Sequence, residues 1–426
     1  MALTEKGYKP RIVDKKLGNL ISEFGAVLVE GPKWCGKTWT ALNHAGSVVF
    51  IADPAGNFRN RETALLDPSL VLEGEPPLLI DEWQEVPGLW DAVRFSVDRR
   101  RKKGLYILTG SSMPGRHTYV HSGAGRIARL RMRTMSLFES GDSLGTVSLA
   151  HLFTGKDIDP QKSSMTLNKI INLTIKGGWP VFAGKKKYSL DIPRQYLERI
   201  ADSEVSYAGG SRRDGSKITA VIRSLARNNA TLVSTKTIQK DIDAEGDRVT
   251  ADRNTVSLYL ELLKSLYVLE EIPGWDPALR STKKLRVSPK RLLTDPSLAA
   301  AAIGATADRL KKDLNTFGFL FEGLCIRDIL VYGELNGAAV YHYRDEAGLE
   351  ADVILELPNG RWGALEIKLG AHQTDAAAAG LLKLKAKMKK AGLDPPAFLA
   401  VISGLAGFAC RRDDGVYVVP IDCLGA

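Results

Sequence analysis

Eight consecutive residues near the amino terminus carry the spacing of a phosphate-binding loop (P-loop, residues 31–38). Gly31, Gly36, Lys37 and Thr38 match the pattern G-x-x-x-x-G-K-[ST]. The glycines let backbone amides curl around phosphates, the lysine reaches the β- and γ-phosphates, and the hydroxyl binds Mg²⁺. An apolar run, Ala26–Glu30, precedes the loop, and the helix predicted to start near Thr38 adds its positive end. The residues expected to bind ATP are Gly31, Pro32, Lys33, Trp34, Cys35, Gly36, Lys37, Thr38 and Trp39.

Two neighbouring acids follow a second apolar run. In Leu78–Glu82 a short hydrophobic strand pattern ends in Asp81 and Glu82. We expect Asp81 to hold the Mg²⁺ of ATP, together with Thr38. We expect Glu82 to orient and deprotonate the attacking water, which is the base that phosphoryl transfer to water requires. These acids turn the prediction of nucleotide binding into one of ATP hydrolysis.

A third apolar run, Leu105–Thr109, ends in the small residues Gly110-Ser111-Ser112. A polar side chain at the tip of this strand is expected to sense the γ-phosphate. Thr109, Ser111 and Ser112 are all candidates, and we favour Ser111.

A separate charged cluster lies near the carboxyl terminus. Asp352, Glu366 and Lys368 follow the pattern D-x(13)-E-x-K, and Glu322 lies on a preceding predicted helix. Carboxylates brought together in this way bind Mg²⁺ or Mn²⁺, hard ions that prefer oxygen. Lys368 points to the same strand face as Glu366 and could activate a water for attack on a phosphodiester. The sequence therefore predicts a second metal site at Glu322, Asp352, Glu366 and Lys368.

The elements that must position the first site alternate between strands and helices over residues 1–140. This alternation predicts an α/β domain with a parallel sheet that binds ligands at the carboxyl ends of its strands. Residues 141–210 are expected to form a helical connector. Residues 301–426 show the pattern of a second α/β domain, with helix 318–330 and a Lys-rich helix 375–390 among its strands.

Residues 211–300 predict a winged helix-turn-helix, because three short helices precede the β-rich run Tyr267–Ile272. Asp252–Ser265 would be the recognition helix. Its first turns carry polar residues where major-groove readers place their contacts, namely Arg253, Asn254, Thr255 and Ser257. Wing contacts to phosphates are expected from Lys283, Lys284 and Arg286. The alternative is a winged helix that binds protein.

The amino-terminal region resembles the AAA-type ATPases of a prokaryotic family that carries a nuclease-like C-terminal domain of unknown function. The segments that carry this resemblance, which covers nearly the whole chain, are Gly31–Thr38, Ile80–Gln84, Leu108–Ser111, Gly123–Arg126 and the turn Gly177–Pro180. The resemblance implies ATP, Mg²⁺ and an arginine supplied to the phosphates. Arg126 is the best candidate for this arginine finger. Arg129, Arg131 and Arg133 offer either another choice or a basic stripe.

The C-terminal cluster resembles the PD-(D/E)xK nuclease superfamily. Glu322 lies where the first helix is expected, Asp352 in the second strand and Glu366-Ile367-Lys368 in the third. The family's proline before the aspartate is absent, since Ala351 stands there. The resemblance implies a restriction-endonuclease-like α/β domain. It leaves open an active nuclease, a metal- or DNA-binding relic and a structural cluster.

Composition sets the remaining expectations. The 426 residues carry a formal net charge of +10, which suits a nucleic-acid or phosphate partner. The four cysteines lack metal-ligand spacing, and neither a signal peptide nor a membrane span is expected, which favours the cytoplasm. The resemblance to AAA-type ATPases implies a homo-oligomer, because such a site is often completed by an arginine of a neighbouring copy. With the charge and the motifs, it leads us to expect a Mg²⁺-dependent ATPase that binds and remodels or processes DNA, with nuclease activity of the C-terminal domain left open. The alternative is an ATP-dependent switch that binds protein partners and carries an inactive nuclease-like domain.

Overall fold

The computed structural model describes residues 3–112, 120–185, 189, 191–201, 214–244, 250–277 and 288–426. By their contacts these residues form two compact units. One consists of the chain up to Thr134 together with Leu262–Tyr267, and the other contains the rest. This division is coarser than the four segments expected from the sequence.

A five-stranded parallel sheet forms the centre of the first unit. Its strands are β1 (Ala26–Glu30), β2 (Ser47–Phe50), β3 (Leu78–Asp81), β4 (Tyr106–Gly110) and β5 (Ile127–Arg131). They lie in the order β2-β3-β4-β1-β5, and every pair is parallel. Because parallel strands share one carboxyl edge, β1, β3 and β4 deliver the P-loop, the Asp81–Glu82 pair and Ser111 to the same edge.

Helices cover this sheet on both faces. They are α1 (Val13–Glu23), α2 (Lys37–Leu42), α3 (Ala55–Leu66) and α4 (Gly88–Arg100). Neighbouring residues of β1 face opposite sides, as the strand period requires. Val27 belongs to an apolar cluster with Leu17 of α1, whereas Leu28 belongs to another with Val93 of α4. The two cores hold β1 firmly in the middle of the sheet.

The second unit begins with short elements. These are α5 (Leu137–Ser140), β6 (Val147–Ser148), α6 (Leu149–Thr154), β7 (Gln161–Lys162), α7 (Leu167–Lys176) and α8 (Asp191–Arg199). The expected helical connector therefore also contains two short strands.

Three helices and a strand pair follow. They are α9 (Gly215–Arg227), α10 (Thr235–Asp243), α11 (Arg253–Ser265), β8 (Leu269–Ile272) and β9 (Lys290–Leu293). The Ser234 side chain caps α10, and the Asp252 carboxylate accepts the Thr255 amide at 2.7 Å in the first turn of α11. β8 and β9 are antiparallel, and Thr231 forms a bridge with Arg291 of β9.

The remainder of the unit is built on a seven-stranded mixed sheet. The helices and strands of this part of the chain are α12 (Pro296–Ala302), α13 (Ala307–Lys312), α14 (Leu314–Asn336), β10 (Ala339–Arg344), β11 (Glu350–Glu356), β12 (Trp362–Lys368), α15 (Thr374–Lys390), β13 (Phe398–Ser403), β14 (Phe408–Arg411), β15 (Tyr417–Pro420) and β16 (Leu424–Gly425). The strand order is β10-β11-β12-β13-β15-β14-β7, and β16 pairs separately with β6. β10, β11 and β12 are antiparallel, whereas β12, β13 and β15 are parallel.

The turn Gly177–Pro180 packs against a buried arginine of this unit. A Cβ on Gly178 would lie 2.1 Å from the Met135 carbonyl oxygen and 2.4 Å from Nη1 of Arg327. The Gly178 amide donates to Asp295 at 2.9 Å, and Asp295 lies 3.1 Å from Arg327. The glycine at this position is therefore required by packing.

Among the residues that the structure describes, no helix is both long enough and apolar enough to span a membrane.

Candidate functional site

The P-loop bends between β1 and α2, and two of its glycines are required by the backbone. Gly36 has a φ of 101°, in the left-handed region that favours glycine. At Gly31 a Cβ would lie 2.1 Å from the carbonyl oxygen of Met132. The loop conformation thus depends on the residues that define the motif.

Lys37 is buried and reaches back across the loop. Its Nζ donates to the carbonyl oxygens of Gly31 at 3.0 Å and Pro32 at 2.9 Å. The ammonium group is therefore held at the loop that would wrap the phosphates. Cys35 is buried beneath the loop, whereas the side chains of Lys33, Trp34 and Trp39 are exposed.

Two hydroxyl groups converge on one carboxylate oxygen of Asp81. Thr38 Oγ1 donates to Asp81 Oδ1 at 2.8 Å, and Thr109 Oγ1 donates to the same oxygen at 2.6 Å. Burial raises the pKa of Asp81, with the Glu82 charge acting in the same direction and the two hydroxyls opposing it. A hydroxyl from the P-loop and a carboxylate from β3 thus form a pair of hard oxygens that fits the Mg²⁺ of a nucleotide.

Glu82 follows β3 in a left-handed conformation, with φ 57°. Its backbone amide donates to Thr109 Oγ1 at 3.3 Å. Its carboxylate accepts hydrogen bonds from Gln84 Nε2 and, at 3.3 Å, from Ser111 Oγ. The structure therefore brings the expected base and the expected sensor into contact.

Sequence reasoning did not assign a role to Gln84, although it lies within the segment that carried the family resemblance. Its position two residues after Glu82 was the available signal. Thr109, a candidate that we do not favour from the sequence, contacts the Asp81 carboxylate and the Glu82 amide, whereas Ser111 contacts the Glu82 carboxylate.

Arg126 lies at the end of the sheet opposite the P-loop. The register of β5 places Arg131 beside Glu30, the residue that leads into the loop. Arg126 precedes Arg131 by five residues, which span roughly 16 Å in a strand. Its guanidinium pairs with Asp98 at 2.8 Å. Arg126 therefore does not reach the P-loop of its own chain, and a role as finger for a neighbouring copy stays a prediction.

Arg129 and Arg131, two of the arginines considered for a basic stripe, make contacts near the end of β5 that lies beside the P-loop. Arg129 Nη2 lies 2.7 Å from Glu30 Oε2. The Arg131 guanidinium lies 4.3 Å from the centroid of the Tyr267 ring, and the Tyr267 hydroxyl donates to Glu30 at 2.9 Å. These arginines form a local network around the end of β1.

The C-terminal acids come together, but two lysines lie among them. Lys368 Nζ lies 2.6 Å from Glu366 Oε2 and 3.6 Å from Asp352 Oδ2. Lys290 Nζ lies 2.5 Å from Glu322 Oε1 and 3.2 Å from Asp352 Oδ1. We call these five residues the carboxylate cluster. Sequence reasoning missed Lys290. Its only signal was its place in residues 280–291, a stretch with six basic residues and no acidic one.

The electrostatics of the carboxylate cluster reflect burial and dense charge. Burial raises the pKa of Glu366 to about 8 and that of Glu322 to about 7, and in both cases the Asp352 charge adds to the rise. Burial alone would also raise the pKa of Asp352. Lys290, Lys368 and the amide of Ile367 instead hold it below its usual range.

This arrangement departs from the predicted Mg²⁺ or Mn²⁺ site. One ammonium group lies between Glu322 and Asp352, and another lies beside Glu366 and Asp352. Across the part of the chain that the structure describes, no group of three or more His, Cys, Asp or Glu side chains is arranged to hold a metal ion. The residues present therefore do not fit a divalent cation as the sequence pattern implied.

Three family models match separate parts of the chain. Residues 23–140 match an AAA domain, residues 167–309 match a domain of unknown function (DUF8612), and residues 317–424 match another (DUF4143). The AAA match includes the P-loop, Asp81, Glu82 and Ser111. Together with the site geometry it confirms the expectation of an AAA-type P-loop ATPase domain.

Two mycobacterial relatives have names that state no function. The uncharacterized proteins Rv2008c of Mycobacterium tuberculosis and Mb2031c of Mycobacterium bovis are each 24% identical over 347 residues, which cover 80% of this chain and 70% of theirs.

Solved structures show only weak overall similarity. The Walker-type ATPase PABY2304 of Pyrococcus abyssi is 12% identical, covers 71% of this chain and 97% of its own, and has a TM-score of 0.41. The Aeropyrum pernix ORC1 protein, solved in complex with DNA, is 14% identical over 73% of this chain and 95% of its own, with a TM-score of 0.23. These scores are too low to define the architecture of the whole chain.

Proposed function

We propose that this protein is a Mg²⁺-dependent ATPase that binds and remodels DNA. The observation that carries the proposal is the convergence of Thr38 and Thr109 on Asp81 Oδ1, at 2.8 and 2.6 Å, with Glu82 next in the chain. This joins the phosphate-binding loop to the acids of β3. An AAA-type domain over residues 23–140 supports it.

Each residue of the site has a role in this proposal. Lys37 offsets the charge of the β- and γ-phosphates, leaving its carbonyl partners when ATP binds. Thr38 and Asp81 hold the Mg²⁺, which supplies positive charge to the phosphate oxygens. Glu82 orients the attacking water and accepts its proton. Ser111 would sense the γ-phosphate, and its hydrogen bond to Glu82 supports this role.

The DNA component of the proposal is supported by the middle module and by charge. Three helices followed by an antiparallel strand pair support the proposal of a winged helix. At the start of α11 the side chains of Arg253, Asn254 and Ser257 are exposed, where a recognition helix would contact bases. The proposed wing residues Lys283, Lys284 and Arg286 lie outside the described residues.

We further propose that the ATPase works as a homo-oligomer in which Arg126 acts on the nucleotide of a neighbouring copy. Arg126 is about half exposed and bound to its own chain through Asp98. Exchange of that surface ion pair for a phosphate contact costs little, since exposed pairs contribute at most about 1 kcal/mol.

A second candidate is an ATP-dependent switch that binds protein partners. Leu258 favours it, because this apolar side chain is 48% exposed on α11, one turn after Asn254. In this candidate the same helix face binds protein. Metal-dependent cleavage of DNA is not part of either proposal, because the ammonium group of Lys290 lies between Glu322 and Asp352.

An ATPase assay without DNA and with single-stranded, duplex and branched DNA tests the proposal. We expect stimulation by at least one DNA, and DNA affinity that falls steeply as salt rises. Arg253→Ala should weaken DNA binding, whereas Arg309→Ala, an exposed arginine on α13, should not. ATP turnover without any DNA binding or stimulation would reject the DNA component and favour the switch. Absence of turnover under all conditions would reject the ATPase itself.

A further inference from the structure

We infer that Lys290 is the resident cation of the carboxylate cluster. Its ammonium group takes the position between Glu322 and Asp352 that a divalent metal ion would need. The cluster is therefore a set of buried lysine–carboxylate ion pairs, which we call the ion-pair lock, rather than a metal centre. This inference concerns the second unit alone and does not depend on the ATPase.

The Lys290 ammonium is fully satisfied where it lies. It has three N–H donors. Three oxygens accept them, namely Glu322 Oε1 at 2.5 Å, Asp352 Oδ1 at 3.2 Å and the Asp352 carbonyl oxygen at 3.3 Å. Only 7% of the residue is exposed. A buried cation with every donor paired is in a stable arrangement, and removing one partner of such a network is costly.

Both carboxylate oxygens of Asp352 are engaged as well. Its Oδ1 accepts from Lys290, and its Oδ2 accepts the backbone amide of Ile367 at 2.9 Å with Lys368 Nζ 3.6 Å away. The central acid of the sequence pattern thus has both oxygens engaged. A metal ion would have to displace at least one ammonium group to bind it.

Charge leads to the same conclusion. Counted with all three acids ionised, as metal ligands would be, the three carboxylates and one lysine of the sequence pattern carry a charge of −2, which a divalent cation neutralises. The second lysine reduces this to −1. A divalent ion would then leave a net positive charge among largely buried side chains, which is unfavourable.

The carboxylate cluster is accessible from a neighbouring cavity, so a metal ion would not be kept out by lack of space. A cavity of about 180 Å³ borders the cluster, and its lining includes Lys290, Glu322, His342, Glu350 and Asp352. Water molecules and small ions can reach these groups. Lys290 itself is therefore the feature that decides whether the carboxylates are available.

The lock joins elements that are far apart in the chain. Lys290 opens β9, which pairs with β8 of the three-helix module. Its partners lie on α14 and β11, which belong to the C-terminal sheet region. Lys290 thus fastens the strand pair of the middle module to the carboxylates of the next.

Mn²⁺ binding to the nucleotide-free full chain tests the inference, with free Mn²⁺ followed by electron paramagnetic resonance. We expect Lys290→Met to gain one Mn²⁺ per chain relative to the wild type, and the added change Asp352→Asn to abolish the gain. Lys290→Arg keeps the positive charge and is the matched control, which should gain none. Thermal melting followed by circular dichroism establishes that each variant is folded.

Two results would overturn the inference. One is a folded Lys290→Met variant that gains no Mn²⁺. The other is a wild-type protein that loses one bound Mn²⁺ per chain when Asp352→Asn is introduced alone. This second comparison does not involve Lys290→Met, so it decides the question even where that variant does not fold. Equal Mn²⁺ binding by the wild type and Asp352→Asn is the expected result.

Discussion

The guanidinium of Arg11 donates a hydrogen bond of 2.7 Å to the carbonyl oxygen of Cys35, inside the P-loop. A second hydrogen bond, of 2.9 Å, runs from Arg11 Nη2 to the carbonyl oxygen of Arg133, just after β5. Only 6% of Arg11 is exposed. This buried arginine therefore braces the backbone of the P-loop, and we expect it to position the loop for nucleotide binding.

Arg11→Met should weaken ATP binding more than it slows the bound reaction, because the loop loses its brace while Lys37 and Glu82 stay in place. Loss of two charge-assisted hydrogen bonds should also destabilise the first unit by about 3 kcal/mol. Steady-state kinetics and urea unfolding measure the two effects. Lys6→Met, at an exposed residue nearby, is the control. A variant with unchanged KM for ATP would show that Arg11 does not position the loop.

Lys37→Ala should abolish ATP binding, since its ammonium group is the charge that the loop directs at the phosphates. Lys33→Ala removes an exposed side chain but keeps the backbone amide with which residue 33 is expected to contact ATP, so this variant should bind ATP nearly as well as the wild type. Titration with a fluorescent ATP analogue measures both. Equal loss in the two variants would indicate a general effect of loop charge instead of a specific role for Lys37.

Glu82→Gln should bind ATP yet hydrolyse it roughly 10²- to 10⁴-fold more slowly, the usual contribution of a general base. The amide keeps the size of the side chain and loses its ability to accept a proton. Glu85→Gln, an exposed acid on the same segment, should retain activity. Phosphate release under saturating ATP provides the measurement, and full activity of Glu82→Gln would remove Glu82 as the base.

Arg327→Leu should destabilise the second unit by about 3–5 kcal/mol, because it leaves buried acids without a counter-charge. In the folded protein Arg327 lies 2.6 Å from Asp328 and 3.1 Å from Asp295, and all three are almost completely buried. Lys312→Leu, at an exposed lysine, is the control. Urea unfolding of both variants measures the difference, and a change below about 1 kcal/mol would contradict the assignment.

The stability of the second unit should fall as the pH rises from 6.5 to 8. Glu366 and Glu322, with pKa values raised to about 8 and about 7 from the usual 4.5, retain protons in this range that the unfolded chain has released. His342, whose pKa burial lowers from 6.5 to about 4, has the opposite effect, mostly below pH 6.5. The folded state therefore binds more protons in this window.

The urea midpoint at the two pH values measures this dependence. Glu366→Gln mimics the protonated acid, so its midpoint should vary less with pH than that of the wild type. Stability that rises with pH, or an identical slope in the variant, would show that Glu366 titrates near its ordinary pKa.

The nucleotide site was predictable from the sequence because its parts are local. Thr38 and Asp81 lie in short motifs directly after apolar strands, and parallel strands bring those motifs to one edge. Arg126 also lies in a short segment that carried the resemblance. The sequence around Arg126 does not indicate, however, at which edge of the sheet this residue lies. Only the register of β5 shows that Arg126 lies away from the P-loop.

Lys290 could not have been predicted by the same means. It contacts Asp352 and Glu322 across long stretches of chain, through a four-residue strand with no spacing pattern of its own. The pattern of acids and Lys368 therefore predicted a metal site, and a single distant side chain changed its chemistry. Similarly, β6 and β7 are two residues each, too short for an alternating pattern to be detected. They were consequently assigned to a helical connector.

Strand β7 has a consequence for how this protein can be divided. It pairs with β14 and completes the C-terminal sheet, while Ser163 and Ser164 bind Asp422 through hydrogen bonds of 2.7 and 3.0 Å. The last family match begins at residue 317, well after this strand. A fragment cut at that border would expose β14 as a raw edge open to pairing with other chains. The C-terminal sheet is therefore incomplete in a fragment that begins at residue 317, because its strand β7 lies far earlier in the chain.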